Sequence, residues 1–385
     1  MEPKLSFHNG KFKVMQIADA QEFSFVSRDT VLLLTMAVLL EKPDLVIFTG
    51  DQIHGMDPTF RLGNVRDNVE KTLYKLTKPI VKAGIPFAVT YGNHDAQVGL
   101  TNVEQAEIYA TFAGCLRGVR RSEEDPGTFY LPVFGGDGNE KLRIFALDTG
   151  LQDAEGAYLP LTKARLAFIK ENSPSGVKTA VFQHIPVPEF YDVLEEVQKG
   201  TPGAVEAYRT REGKYYRLPA EIVEAGGYLG ESPAVPDENG GEFDALRENG
   251  NVLFIAVGHD HNNAFVAEKD GIRLIYTPGA GFHAYGPGEN RGVRVFEFDE
   301  DDPAAFTTRL VTYRDAVGGE VSNPVLDFAL THIPTSVEEV RKIPVVGDAV
   351  VNLVNAIGEK LNTGETKSAP EADEETPDFT YETLE

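Results

Sequence analysis

A single cysteine, Cys115, stands among 385 residues. That excludes an intramolecular disulfide and any zinc site built from cysteine thiolates. Cations are scarce too: 36 Lys and Arg face 60 Asp and Glu, a formal net charge of −24. Such a field repels phosphate backbones and anionic bilayers, so no nucleic-acid partner is expected. The opening residues MEPKLSFHNGKFKV lack the basic and then apolar order of a secretory leader. The early apolar run Val31–Leu40 is interrupted by Thr35 and is too short for a bilayer. As written, the chain is expected to be cytoplasmic with no stable membrane insertion, or secreted if a leader has been removed. No internal repeat is evident. What remains is an ordinary globular composition, 42% hydrophobic and 25% charged, long enough for a sizeable core.

Periodicity supplies the fold class. Residues 11–18 alternate as a strand, 27–41 carry a helical pattern, 44–49 form a buried strand, 66–83 a helix and 85–91 a third strand. Strands and helices in turn indicate α/β. Further strands are predicted at 128–134 and 141–148, a helix at 161–172 and an extended run at 177–183. From about 200 to 250 the composition shifts to Gly, Pro, Glu and Tyr, the signature of an insertion or cap. Strands resume at 252–257, 264–267, 272–276, 293–298 and 306–313, so one sheet forms early and a second late. Residues 337–361 are amphipathic with a break at Pro344, and 363–385 are acidic and poor in aliphatics. This predicts a terminal helix, with a face open to a protein partner, and a disordered tail.

The chemistry lies in polar residues placed just after predicted strands, where α/β sheets gather their ligands. In order these are Asp19, Gly50-Asp51, Gly92-Asn-His-Asp95, His184 and Gly258-His-Asp-His261. Carboxylates, imidazoles and the Asn93 carbonyl together suit a divalent Mn, Fe or Zn better than Ca. A strand-end Asp alone is commonly a helix cap and a lone His a structural residue. The ordered series is what points to a metal.

These motifs, across residues 12–315, resemble the calcineurin-like metallophosphoesterase superfamily. The stretches HIPVPEF (184–190), FDAL (243–246) and GHDHNN (258–263) further resemble the branch of fungal cell-size phosphatases and plant purple-acid-phosphatase-like proteins. The resemblance implies a four-layer α/β/β/α sandwich of two mixed sheets over residues 1–334, followed by the 335–385 helix and tail. It implies hydrolysis of a phosphate ester by a metal-bridging hydroxide, held by two divalent transition-metal ions. The substrate would be a small phosphorylated compound or a phosphoprotein. A monoester is favoured, with a diesterase or a degenerate protein-binding scaffold as alternatives. By matching position, Asp51 bridges the metals, Asp19 and His261 hold the first, and Asn93, His184 and His259 hold the second. His94 is then the non-ligand acid, its ring oriented by Asp95 or Asp57.

One motif departs from the pattern. The superfamily reads Asp-x-His where this chain has Asp19-Ala-Gln21, so the first metal lacks an imidazole. Purple acid phosphatases lack it too and place a Tyr three residues after the bridging Asp. Here that position is His54, which the resemblance makes a candidate ligand; the alternative is Gln21 itself, through its amide oxygen or a hydrogen bond to a metal-bound water. Among residues around the centre, His283, Tyr285, Phe190 and Tyr191 are candidates to face a substrate.

Overall fold

The computed structural model describes residues 3–153 and 155–332; the expected helix over 337–361 and the acidic tail lie outside them. The strands that build the framework are β1 (Lys11–Ile17), β2 (Leu45–Thr49), β3 (Phe87–Thr90), β4 (Asp125–Phe134), β5 (Glu140–Leu147), β6 (Lys178–Gln183), β7 (Val252–Val257), β8 (Asn263–Lys269), β9 (Ile272–Tyr276), β10 (Gly292–Asp299) and β11 (Thr307–Thr312). The helices that flank it include α1 (Arg28–Glu41), α2 (Val65–Lys82), α3 (Asn102–Tyr109), α4 (Lys163–Asn172), α5 (Glu242–Glu248) and α6 (Tyr313–Val317).

Strands β2, β3 and β7 are buried at every position, as expected of parallel strands covered on both faces. The register agrees. β1, β2 and β3 run parallel, with Val14 opposite Leu45 and Val46 opposite Phe87, and β10 and β11 extend the sheet antiparallel in the order β11-β10-β1-β2-β3. In the nine-stranded sheet, β5, β6, β7 and β9 are parallel neighbours, with β4 and β8 antiparallel at the flanks.

Three apolar layers join these elements. Leu33, Leu73 and Ile80 of α1 and α2 pack on Val46 and Phe48. Between the sheets, Ile47 and Phe296 meet Ile144, Phe182 and Phe254. On the far side, Ile169 of α4 and Leu246 of α5 cover Val181 and Ile255. The result is the four-layer α/β/β/α sandwich, and it leaves the carboxyl ends of β1, β2, β3, β6 and β7 to carry the five polar motifs.

Local chemistry sets the helix ends. The Ser27 side chain accepts from the Asp29 N–H before α1, and Asn64 does the same for Asp67 before α2. The sequence reading leaves α3 out, although Thr101 and Glu104 form a reciprocal capping box there. The insertion between β6 and β7 is more regular than a surface excursion. It holds a three-stranded sheet of Glu195–Val197, Val205–Glu206 and Tyr215–Arg217. Its strand Tyr228–Leu229 pairs with the start of β8, Leu229 opposite Asn263.

Candidate metal centre

Three of the five motifs leave their strands by a sharp turn. Asp19 (φ 50°), Asp51 (φ 52°) and His259 (φ 74°) all occupy the left-handed region, a strained conformation for residues with a β-carbon and one that clusters at functional sites. Close approach explains the neighbouring glycines. A β-carbon on Gly92 would lie 2.2 Å from Asp51 Oδ1, and one on Gly258 would lie 2.4 Å from Asp19 Oδ2.

The turns are tied to one another. The Gln21 N–H donates to the Asp51 carbonyl at 2.7 Å and the Gly258 N–H to the His184 carbonyl at 3.2 Å. Asp95 is the central clamp. Its Oδ2 accepts from the N–H groups of Gly92 and Asp51, both at 2.8 Å, and its Oδ1 from that of Gln52 at 2.9 Å.

Four side-chain atoms then converge. His184 Nε2 lies 3.2 Å from Asp51 Oδ2, from Asn93 Oδ1 and from His259 Nδ1. The His184 Nδ1–H donates to the Thr49 carbonyl at 3.0 Å, which fixes the tautomer and leaves Nε2 to offer its lone pair. Beside this group, His261 Nε2 stands 3.4 Å from Asp19 Oδ1. Its Nδ1–H donates to the Tyr285 carbonyl at 2.7 Å, so here too Nε2 faces inward. Asp19 Oδ1 and His259 Nε2 are buried with no hydrogen-bond partner among the described residues.

So many acceptors in so small a buried space require a positive charge. Protons partly supply it. Burial opposes charging His184, but Asp51 and Asp19 outweigh it and push the ring up to about 10. Burial would likewise raise Asp51, yet His184 and His94 hold its carboxyl well below the ordinary range. His261 is raised against its burial by Asp19, and His259 is lowered by burial and by His184. The donor set, one amide oxygen, two carboxylates and three imidazoles, fits divalent transition metals, whose binding would displace those protons.

The remaining expected residues fall nearby in other roles. The His94 N–H donates to Asp51 Oδ1 at 2.8 Å, and His94 Nε2 stands 4.0 Å from Asp51 Oδ2. Its Nδ1–H donates to the Gln97 side-chain oxygen at 2.7 Å. Gln97 therefore holds the ring where Asp95 or Asp57 was expected. Asp95 is occupied with backbone amides, and Asp57 caps a short turn through the Thr59 N–H at 2.9 Å. The clue was the i,i+3 spacing in the single turn Asp95–Val98, which sets two side chains over one another.

His54 is not among the converged atoms. Its ring lies flat against His94 at 5.4 Å and 14°, and its buried Nδ1 has no hydrogen-bond partner among the described residues. Burial and His94 keep it below the ordinary imidazole value. His283 bonds to Glu22 at 2.5 Å and stacks on Phe23 at 4.8 Å. Phe190 is core, packed on Tyr276. The Tyr191 hydroxyl accepts from the Tyr208 N–H. An aromatic that the sequence reading missed, Tyr158, stands edge-on to His259 at 4.6 Å.

The chain is similar to several known proteins. Among curated relatives, "probable inactive purple acid phosphatase 14" of Arabidopsis thaliana is 26% identical over 343 residues, covering 75% of each chain. "Phosphatase DCR2" of Saccharomyces cerevisiae is 24% identical over 330 residues, covering 76% of this chain and 52% of the yeast protein. A solved dimetal phosphatase from Danio rerio aligns over 78% of this chain and 99% of its own, at 13% identity and a TM-score of 0.46. Residues 12–263 match the calcineurin-like phosphoesterase family, and the chain belongs to it.

Proposed function

We propose that this chain hydrolyses phosphate esters with two bound divalent transition metals, a phosphomonoester being the favoured substrate. The observation that carries the reading is the convergence of Asp51, Asn93, His259 and His184, with three partner atoms 3.2 Å from His184 Nε2. Asn93, His184 and His259 would hold one metal, Asp19 and His261 the other, and Asp51 both. His54 is assigned to the poorer site in place of the imidazole missing at Gln21, on the strength of its unpartnered buried Nδ1. The monoester preference rests on relatives named as phosphatases.

When bound, the metals supply Lewis-acid activation of water and charge neutralisation at the phosphoryl oxygens. The protein supplies the rest. His94, its Nδ1–H held by Gln97, presents Nε2 beside Asp51 and gives a proton to the departing alkoxide. The Asp95 clamp keeps the Asp51 and Asn93 loops in register, so the acid and the ligands share one rigid frame.

A second reading, a scaffold that keeps the fold without turnover, is favoured by the relatives named inactive and by Gln21. Turnover of 4-nitrophenyl phosphate and bis(4-nitrophenyl) phosphate, each with Mn, Fe, Zn or no metal, separates them. Metal-dependent hydrolysis that favours the monoester is expected. A chain that retains metal yet hydrolyses neither ester is the scaffold. In the same preparations, His54→Ala should lower metal content, and unchanged occupancy would remove His54 from the ligand set.

A further inference from the structure

His261 is the one imidazole that the Gly258–His261 loop offers beside Asp19, and Gln21 has replaced the other expected there. Its geometry therefore matters more than usual. Two contacts fix it, and both come from Tyr285. The Tyr285 carbonyl accepts the His261 Nδ1–H at 2.7 Å, and the Tyr285 ring lies flat on the imidazole at 4.2 Å and 2°. Tyr285 itself stands in an irregular run, residues 277–287, with no helix or sheet ladder to hold it. Its anchor is its hydroxyl, which donates to Glu231 Oε2 at 3.0 Å.

Glu231 belongs to the insertion, and it is bonded to the metal loop from the other side as well. Its Oε1 accepts from the Asn262 N–H at 2.8 Å. The N–H groups of Gly230 and Glu231 both donate to Asn263 Oδ1, at 3.0 and 3.2 Å, and the Ala234 N–H donates to Asp260 Oδ2 at 3.1 Å. The insertion is thus laced along the residues that follow His259 and His261.

We propose that Glu231 is a positioning residue for the metal held by Asp19 and His261, acting through Tyr285, so that the insertion completes this site from outside its ligand set. The inference rests on the two-metal reading above. Groups that orient a metal-bound imidazole commonly change metal affinity about 10–100-fold when lost.

The test is chelator titration of the metal-loaded full-length protein, read as metals per chain, on the wild type, Glu231→Ala, Glu231→Gln and Tyr285→Phe. Wild type should hold two metals. Glu231→Ala and Tyr285→Phe should release one of them at roughly 10–100-fold lower chelator while keeping the other. Glu231→Gln, which retains an oxygen for the Tyr285 hydroxyl, should recover part of the loss. Should Glu231→Ala fail to fold, Tyr285→Phe, which deletes one oxygen atom, decides. Wild-type release curves for Tyr285→Phe, or a change in melting temperature without a change in metal release, would overturn the proposal. A wild type that never holds a second metal would overturn the two-metal reading itself, and this inference with it.

Discussion

Asp95→Asn separates a structural clamp from a catalytic carboxylate. In the wild type both oxygens of Asp95 accept backbone N–H groups from two loops, Gly92 and Asp51 on one oxygen and Gln52 on the other. Asparagine has the same shape but replaces one oxygen with an NH2 group. Whichever way it turns, donors then face donors. With Oδ2 replaced, two buried backbone N–H groups lose their acceptor, at about 1–3 kcal/mol each, or roughly 2–6 kcal/mol together. That is a large fraction of the ~5–15 kcal/mol by which a domain is stable. Urea unfolding of the metal-free protein should show the loss directly. Because the clamp holds Asp51 and Asn93 in place, metal content should fall with it. If Asp95→Asn unfolds at the wild-type midpoint and keeps its metals while turnover drops, the clamp argument fails and Asp95 acts on the reaction.

Three other outcomes follow from named contacts. Burial, against a hydrogen bond from Gln183 and reinforced by Glu189, pushes Glu242 up to about 8 from 4.5. A carboxyl raised in the fold favours folding fully below its unfolded value and loses that advantage as pH climbs through 8, at about 1.4 kcal/mol per pH step. Urea midpoints should therefore fall between pH 5 and 8 less steeply in Glu242→Gln than in the wild type, the variant keeping some slope because Asp95 is raised to about 8 as well; parallel profiles would refute this. Gly258→Ala places a methyl 2.4 Å from Asp19 Oδ2. It should destabilise by about 1–3 kcal/mol and weaken one metal, and a wild-type melting curve with both metals retained would contradict the close approach. His94→Ala should lower kcat by about 10²–10⁴ with both metals retained, and undiminished turnover would remove His94 as the acid.

The alternation of strand and helix, and the position of each candidate ligand at a strand end, were legible because both are local. Burial on two faces makes β2 and β7 continuous apolar runs, and a sharp turn after a strand requires Gly beside the ligand. What could not be read were the partners of those residues. Asp95 follows His94 in the chain, yet its oxygens turn toward the backbone of residues 51 and 52, more than forty positions away in sequence. Adjacency suggested a catalytic pair where tertiary contact makes a brace. The insertion shows the same limit from the other direction. Its Gly, Pro and Glu content signals only a departure from regular structure, because composition carries no register. Glu231 becomes meaningful once Leu229 pairs with Asn263 and sets the next residues beside the metal loop. The candidate ligands are thus fixed by short-range geometry that sequence encodes openly. Tyr285 and Glu231, the groups proposed to orient His261, depend on how separate segments meet, and a substitution in either should alter the centre without touching any residue of its motifs.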